Sequence, residues 1–258
     1  MSLLTVQNMS IGFGGILALK EVSFSVEKGE IFSILGPNGA GKTTLFNCIN
    51  GIYKPDCGQA TFDGVDITGK RPDQIARLGI ARTFQNIELF SHMSAMDNIL
   101  LGRHKFMKTG VIRSLFCGPS VRREEIANRE KAEEIIDFLE IQAARNQLVV
   151  NLPYGARKLV ELGRALALEP KVLLLDEPAS GMNLEERNDL IHWIGDIRDE
   201  LGITCLMVEH DMNMVMQISD RVLVLDFGEV IALGAPEEIA GDAKVAEVYL
   251  GQKGAEHA

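Results

Sequence analysis

The alternation of apolar and polar positions predicts β-strands at the start of the chain. Residues 1–30 alternate in short pieces that glycines separate, a pattern typical of antiparallel strands. The continuously apolar run at residues 30–36 predicts a buried strand, and residues 42–51 predict a helix directly after it. Residues 58–69 then predict a hairpin with an Asp-Gly turn.

Strands and helices also alternate in the last third of the chain. Apolar runs at residues 171–178 and 203–210 predict buried strands, with a helix over residues 185–201 between them. Residues 220–234 predict a final hairpin. Strands that alternate with helices predict a largely parallel sheet, which binds ligands at the carboxyl ends of its strands.

Strand signals fade between residues 91 and 150, where helical spacing replaces them. Residues 121–141 place isoleucines on one face of a predicted helix and charged residues on the other. This stretch indicates an all-helical insertion into an α/β core. We therefore expect a single domain over the whole chain, with a core at about residues 1–88 and 166–258 and a helical subdomain at about residues 89–165.

Composition and charge narrow the class of protein. The chain has 258 residues, of which 46% are hydrophobic, so it can build a full core. Its formal net charge of −10 argues against a general nucleic-acid-binding protein. The four cysteines show no metal-binding spacing, no apolar run reaches the roughly 20 residues of a membrane span, and no secretory signal is visible. We expect a cytoplasmic protein that is free to dock on a membrane partner.

The segment GPNGAGKTT at residues 36–44 carries the strongest chemical signal in the chain. It matches G-x-x-x-x-G-K-[ST] and lies between a predicted strand and a predicted helix, the context that a phosphate-binding loop needs. Its glycines let the backbone approach an anion, and N–H groups at the helix start point at the phosphates. We expect Lys42 to reach the β- and γ-phosphates and the Thr43 hydroxyl to bind Mg²⁺. A chance glycine turn is the alternative, which the matching context disfavours.

Two adjacent carboxylates close the apolar run LLLDEP. We expect Asp176 to hold Mg²⁺ through water and Glu177 to take a proton from an attacking water, because phosphoryl transfer needs charge neutralisation and an aligned nucleophile. An ordinary strand that ends in surface acids is the alternative. The chain also lacks the [NT]-K-x-D motif with which a GTPase binds guanine, so adenine is the expected base.

Together these motifs resemble the ATP-binding subunit of an ABC transporter, and the resemblance spans nearly the whole chain. It implies a RecA-like P-loop NTPase core of the α/β class, with an N-terminal antiparallel β region and an inserted all-helical subdomain. It also implies that Phe13 stacks on adenine, that Gln85 approaches the metal and the attacking water, and that His210 contacts the γ-phosphate. ASGMN at residues 179–183 occupies the position of the D-loop, and NLPYGARK, which begins at Asn151, occupies that of the signature segment.

The resemblance implies a complete site for ATP and Mg²⁺. The implied catalytic residues are Lys42, Gln85, Glu177 and His210, and the implied metal contacts are Thr43, Gln85 and Asp176. The implied ATP contacts are Phe13, Gly36, Pro37, Asn38, Gly39, Ala40, Gly41, Lys42, Thr43 and Thr44, while Gly155 contacts the ATP that a partner chain binds.

Three further segments resemble the branched-chain amino acid importer branch of this family: FGGILAL, EPASGMN and the tail GAPEEIAGDAKVAEVYLG. The resemblance implies an ATPase that powers the import of leucine, isoleucine and valine. Its implied partners are two transmembrane permeases, a second and different ATP-binding subunit in a head-to-tail dimer, and an external solute-binding protein, without nucleic acid. The implied location is the cytoplasmic face of the cell membrane. Related importers of urea, amides or aromatic acids stay open as alternatives.

The signature segment departs from the family pattern. Pro153 stands where the family has serine and Ala156 where it has glutamine, so side-chain donors are lost. We expect Asn151 to cap the following helix, with Pro153 early in it and Gly155 contributing a backbone N–H. Asymmetric ATP sites should result, with weaker closure at the site that Gly155 helps to form. Asn183, where many relatives have aspartate, is expected either to alter communication between the sites or to be neutral.

The helical insertion is expected to carry the contact with a permease. Residues 86–99, NIELFSHMSAMDNI, combine apolar side chains with the segment of Gln85 and predict a groove for a short permease helix. ATP-driven closure would tilt the insertion and move the permease. Replacing Leu89 or Phe90 with aspartate is therefore expected to uncouple ATP hydrolysis from transport.

Two alternatives lie outside transport. A soluble ABC ATPase of DNA repair or translation is disfavoured by the acidic balance and by the single such domain in this chain. A regulatory nucleotide-binding module without turnover is disfavoured by the presence of Lys42, Asp176, Glu177 and His210.

Overall fold

The computed structural model describes residues 2–83, 87–106 and 119–255. Ten strands lie in these ranges: β1 Ser2–Phe13, β2 Ile16–Glu27, β3 Ile31–Leu35, β4 Cys57–Phe62, β5 Val65–Asp66, β6 Ile80–Arg82, β7 Val172–Asp176, β8 Thr204–Glu209, β9 Arg221–Asp226 and β10 Glu229–Gly234. The same ranges contain nine α-helices: α1 Lys42–Ile49, α2 Pro72–Leu78, α3 Ala95–Gly102, α4 Pro119–Phe138, α5 Tyr154–Leu166, α6 Leu184–Asp199, α7 Met212–Ile218, α8 Pro236–Ala240 and α9 Ala243–Ala255.

The strands form two sheets. The smaller sheet has the order β2-β1-β4-β5 and is antiparallel throughout. The larger sheet has the order β10-β9-β3-β8-β7-β6 and is parallel except for β10, which forms the predicted hairpin with β9. Strands β3, β7 and β8 are buried at every position, as continuous apolar runs predict for parallel strands covered on both faces. The predicted α/β class with an N-terminal antiparallel region is confirmed.

Two apolar cores cover opposite faces of the larger sheet. Alternate side chains of β3 point to opposite sides, so Phe32 joins the core shared with α1, α2 and the antiparallel sheet, whereas Ile31 joins the core shared with helices α3 to α9. Phe46 of α1 and Phe62 of β4 are fully buried in the first core. Because α1 carries the end of the phosphate-binding loop, this packing fixes the loop against the sheet.

Along the chain, helices α3, α4 and α5 come between β6 and β7. These two strands are neighbours in the larger sheet. The three helices form the inserted helical region, and α3 packs closely on α5: a Cβ on Gly163 would lie 3.1 Å from Cδ1 of Ile99. The boundaries at residues 88 and 166 stay a prediction, because apolar side chains of the insertion and of the sheet belong to one continuous core. Among the described residues, none of the helices combines the length and the apolar character that a membrane span requires.

Candidate functional site

The segment from Gly36 to Thr44 forms a loop between the carboxyl end of β3 and the start of α1. Gly41 has a left-handed backbone with φ of 102°, and a Cβ there would lie 2.5 Å from the carbonyl oxygen of Ala18. A Cβ on Gly36 would collide with the carbonyl oxygen of Leu225. The loop borders a cavity of about 300 Å³ that is lined by residues 38–44, by Ala18 and by Glu177. Such a turn, poor in side chains and leading into a helix, is suited to bind phosphate groups.

Lys42 is buried at this cavity. Its Nζ donates hydrogen bonds to the carbonyl oxygens of Gly36 at 2.6 Å and of Pro37 at 2.9 Å. Burial lowers the pKa of the Lys42 amine, whereas three nearby carboxylates, first that of Glu177, raise it. The amine is therefore held at the loop and lies among anions that partly offset its desolvation.

Asp176, a predicted metal contact, and Glu177, the predicted proton acceptor, lie at the carboxyl end of β7, and Glu177 reaches the cavity. Glu177 has a left-handed backbone with φ of 44°, which costs free energy for a residue other than glycine. Its N–H donates to the carbonyl oxygen of Val208 at 3.0 Å, and its own carbonyl oxygen accepts from the N–H of Ser180 at 3.1 Å. These two bonds hold the strained turn that places the carboxylate at the cavity.

His210 follows β8 and lies beside the second of these acids. Its Nδ1 is 3.7 Å from Oε2 of Glu177 and 3.8 Å from Oε2 of Glu209, and half of the side chain is exposed. Glu177 and His210, which are distant in sequence, are thus neighbours in the folded chain. Gln85, the other predicted catalytic residue and metal contact, lies outside the described residues.

Glu209 is a residue of this site that the sequence analysis missed. Its carboxylate is buried and accepts hydrogen bonds from the N–H groups of Ala179 and His210, both at 3.2 Å. Burial raises the pKa of Glu209, and the two backbone hydrogen bonds lower it. The Glu209 carboxylate therefore links the loop after Glu177 to His210, which we predict to contact the γ-phosphate. The available signal was an acid at the end of an otherwise apolar strand in VEHDM.

Asp176 and Thr43 are the predicted metal contacts that the structure describes. Oδ2 of the buried Asp176 accepts a hydrogen bond from Arg82 at 2.6 Å, whereas Oδ1 is buried and has no hydrogen-bond partner among the described residues. An orphaned carboxylate oxygen is costly, and a hydrated divalent cation would satisfy it. In the described part of the chain, no group of three or more His, Cys, Asp or Glu side chains could hold a metal ion. The orphaned oxygen of Asp176 fits Mg²⁺, which proteins bind with few carboxylates and which keeps phosphate and water ligands.

Phe13 is not among the residues that line the phosphate cavity. Phe13 is 47% exposed, and its ring packs edge-on against Tyr53, with the ring centroids 5.2 Å apart. Ala18, on the neighbouring strand β2, lines the cavity at the loop. Adenine stacking on Phe13 stays a prediction.

The start of α5 differs from the prediction in its capping. Asn151 is not the N-cap, because it ends a 3₁₀ helix, Val149–Asn151, and the N-cap residue of α5 is Pro153. Proline offers neither an N–H nor a polar side chain, and no side chain in the described part of the chain caps this helix. Its first N–H groups, including that of Gly155, therefore remain available to an anion at the positive end of the helix dipole.

This helix start faces the loop after β7 of the same chain. The hydroxyl of Tyr154 donates to the carbonyl oxygen of Ser180 at 3.0 Å, and a Cβ on Gly155 would lie 2.8 Å from Oε1 of Glu186. Glu186 also forms a capping box with Asn183: the Asn183 side chain accepts from the Glu186 N–H at 3.0 Å, and the Glu186 side chain accepts from the Asn183 N–H at 2.9 Å. Asn183 is therefore the N-cap of α6, a position that asparagine and aspartate fill equally well.

The site has the features of a P-loop ATPase: a buried lysine in a phosphate-binding loop, an acid pair at a strand end and a histidine beside the second acid. The family model for ABC transporters matches residues 19–180 of this chain. The chain therefore belongs to the ABC transporter family, which confirms the resemblance found in its motifs.

Relatives in this family match the chain along almost its whole length. It is 40% identical to the high-affinity branched-chain amino acid transport ATP-binding protein BraF of Pseudomonas aeruginosa, over 97% of this chain and 98% of that protein. It is 39% identical to the protein LivG of Escherichia coli K12, of the same description, with the same coverage. It is 38% identical to a probable LivG protein of Archaeoglobus fulgidus, over 99% of this chain and 98% of that protein.

Solved ATP-binding cassettes share the fold. The ADP conformation of MJ1267, an ATP-binding cassette of an ABC transporter, superposes with a TM-score of 0.85 at 36% identity, covering 97% of this chain and 99% of that one. A dimeric post-hydrolysis state of the cassette MJ0796 bound to ADP and Pi superposes with a TM-score of 0.75 at 25% identity, covering 90% and 98%. The chain is thus an ATPase whose hydrolysis of ATP is coupled to transport, and its partners are membrane permeases.

Proposed function

We propose that this chain powers the import of branched-chain amino acids, namely leucine, isoleucine and valine, from the cytoplasmic face of the cell membrane. The observation that carries the proposal is its 40% identity, over 97% of its length, to a branched-chain amino acid transport ATP-binding protein. The segments FGGILAL and EPASGMN, which resemble the same branch, lie in the β1–β2 hairpin and in the loop beside the catalytic acids.

The described residues account for four roles in the proposed hydrolytic chemistry: phosphate binding, metal binding, proton acceptance and contact with the γ-phosphate. The loop at residues 36–44 binds the phosphates through its N–H groups, and Lys42 exchanges its loop carbonyl oxygens for phosphate oxygens. Thr43 and Asp176 are the described residues that would hold Mg²⁺, Asp176 through water, and the cation would neutralise phosphate charge. Glu177 accepts the proton of the attacking water, and the imidazole of His210, 3.7 Å from Glu177, contacts the γ-phosphate.

The active form in this proposal is a head-to-tail dimer with a second, different ATP-binding subunit. Its support is the position of Gly155, which lines a separate cavity with Met182 and Glu186 instead of the cavity at Lys42. Gly155 does not border the ATP cavity of its own chain, which supports a contact of the signature turn with another chain's ATP. Since Pro153 and Ala156 supply no side-chain donor there, a partner with a fuller signature would give one strong and one weak site.

The solute is selected outside this chain, by an external solute-binding protein and two transmembrane permeases. The complete complex in liposomes, with binding protein added outside, is expected to accumulate labelled leucine only when ATP is supplied. Unlabelled isoleucine or valine should compete, whereas urea, a short amide or an aromatic acid should not. Competition by one of the latter three but not by isoleucine would assign the chain to a related importer.

Glu177→Gln tests the ATPase chemistry within the same complex. The amide cannot accept the proton, so we expect ATP to bind while hydrolysis and uptake are both lost. Glu185→Gln, at an exposed glutamate in the first turn of α6, is the matched control and should leave both rates unchanged. Hydrolysis by the Glu177→Gln complex at the wild-type rate would refute the assigned role.

The Glu177→Gln chain also tests the partner. With ATP, it is expected to elute as a dimer when mixed with the second ATP-binding subunit and as a monomer when alone. A stable dimer of the chain with itself would contradict the requirement for a different subunit.

A further inference from the structure

Arg82 is a buried arginine at the edge of the active site, and none of the steps above uses it. It is the last residue of β6, and 5% of its side chain is exposed. One guanidinium nitrogen donates to Oδ2 of Asp176 at 2.6 Å, and another donates to the side-chain oxygen of Asn47 at 2.7 Å. The guanidinium also lies 5.7 Å from the ring centre of Phe46.

These contacts join α1 and β7, the two elements that carry the predicted metal contacts Thr43 and Asp176. Asn47 lies one helical turn after Thr43 on α1, so both residues are on the same face of that helix. Asp176 ends β7, which pairs with β6 in the sheet. The fixed fork of the guanidinium therefore sets the spacing between the Thr43 face of α1 and the carboxylate of Asp176.

The same contact makes the two oxygens of Asp176 unequal. Oδ2 is committed to Arg82, whereas Oδ1 is buried and has no hydrogen-bond partner among the described residues. A carboxylate that is held through one oxygen presents the other in a fixed direction. A group that orients a ligating carboxylate in this way typically contributes a factor of about 10–100 to metal affinity.

We propose that Arg82 is a positioning residue of the magnesium site: it anchors Asp176 through Oδ2, so that Oδ1 is presented to the hydrated cation at a fixed distance from Thr43. This inference rests on the proposed use of Mg²⁺·ATP. It predicts that Arg82 acts on the dependence of nucleotide binding on Mg²⁺ and does not act on phosphate binding by the loop itself.

The test is equilibrium binding of a fluorescent, non-hydrolysable ATP analogue to the full chain, first in EDTA and then along a Mg²⁺ titration. Arg82→Lys keeps the positive charge but loses the two-pronged guanidinium. For this variant we expect the Mg²⁺ concentration that gives half of the maximal increase in analogue binding to rise about tenfold. The affinity in EDTA should stay within about twofold of wild type, because the loop at residues 36–44 is unchanged.

Arg103→Lys is the matched control, since Arg103 is also a buried arginine with side-chain partners, none of which is a predicted site residue. It donates to the side chains of Asn128 at 3.1 Å and Glu169 at 2.7 Å, and it lies 4.0 Å from the ring centre of Phe106. This control should leave the Mg²⁺ titration unchanged. An equal rise in the control would show a general effect of lost packing and would overturn the proposal.

Asn47→Ala is the second test variant, and it is used if Arg82→Lys does not give a cooperative thermal transition. This variant keeps the ion pair of Arg82 with Asp176 but removes the hydrogen bond of Arg82 to Asn47. Because Arg82 is then held less firmly, we expect the half-maximal Mg²⁺ concentration to rise about threefold. An unchanged or lowered Mg²⁺ requirement in the folded variants, or an equal loss of affinity in EDTA, overturns the role of Arg82. An absence of any Mg²⁺ enhancement in the wild-type chain would instead refute the proposed metal site itself.

Discussion

The hydroxyl of Tyr154 donates a hydrogen bond to the carbonyl oxygen of Ser180 at 3.0 Å, and this bond joins the start of α5 to the loop after Glu177. Gly181, at φ of 78°, brings the same loop against the ring, where a Cβ would lie 3.2 Å from the hydroxyl oxygen. Burial raises the pKa of Tyr154, so the hydroxyl keeps its proton and remains a donor at neutral pH. In the proposed dimer the signature turn contacts the partner's ATP, and Tyr154 joins this turn to the loop after Glu177.

Tyr154→Phe removes this hydrogen bond and keeps the ring. Because one hydrogen bond contributes about 0.5–1.5 kcal/mol, we expect the ATPase rate of the complete complex to fall about three- to tenfold. ATP binding at residues 36–44 should not change, since neither Tyr154 nor Ser180 lines the phosphate cavity. Tyr53→Phe is the matched control, and an equal loss of rate in both variants would contradict the linkage.

Pro153→Ser tests whether the signature turn is weak because it lacks donors. A serine at the N-cap position adds a hydroxyl, and a hydrogen bond to a charged phosphate contributes about 1.5–3 kcal/mol. We expect the variant to raise the ATPase and transport rates of the complete complex, measured with the second subunit present. Pro153→Ala, which adds a backbone N–H without a hydroxyl, separates the two donors. Wild-type rates in Pro153→Ser would remove the basis for asymmetric sites.

Local patterns predicted those parts of the fold that lie within one continuous segment. The strand, loop and helix around residues 36–44 and the hairpin at Phe227-Gly228 follow from apolar runs and glycines a few positions apart. Strand β6 could not be found in this way, because it has three residues and gains its structure from pairing with β7. The sheet, rather than the local sequence, makes it a strand.

The residues of the site divide in the same way: local motifs predict some of them, and the contacts of others depend on the sheet. Lys42 and Glu177 belong to motifs, and the cavity brings both together as the motifs predict. The contacts of Arg82 with Asp176 and of Glu209 with the N–H of Ala179 depend on how β6, β7 and β8 align in the sheet. No spacing along the chain encodes that register, so these two buried charges were missed.

Phe90→Asp tests coupling to the permease, and the structure separates it from Leu89→Asp. The backbone of Phe90 is fixed by the buried Asn98, whose Oδ1 accepts from the Phe90 N–H at 2.9 Å, while the Phe90 ring is 58% exposed. Leu89 instead packs against the helical core. We therefore expect Phe90→Asp to fold and bind ATP normally but to lower uptake per ATP hydrolysed by the complete complex.

Leu89→Asp is expected to lower the free energy of unfolding, because it places a carboxylate against apolar side chains. Ile126→Asp, at an exposed apolar residue of α4, is the surface control for Phe90→Asp and should keep normal coupling. A loss of ATP binding by Phe90→Asp would show that this residue supports the fold and does not contact a permease.

Glu209→Gln tests the buried carboxylate that bridges Ala179 and His210. The pKa of Glu209 lies above its ordinary value of 4.5 in the folded chain, chiefly because burial disfavours the charged form. Its contribution to the free energy of unfolding is therefore fully present below pH 4.5 and is lost as the pH rises through the folded-state pKa. The amide does not titrate, so the variant escapes this loss.

We accordingly expect the Tm of Glu209→Gln, relative to wild type, to increase as the pH rises from 4.5 through the raised pKa. At neutral pH the ATPase rate should nonetheless fall, because an amide has one acceptor oxygen where the carboxylate accepts from two N–H groups at once. Thermal scans across this pH range measure the first effect, with the exposed Glu185→Gln as the control. Parallel Tm curves for Glu209→Gln and wild type would mean that Glu209 is not desolvated in solution, and the bridge to His210 would then lose its support.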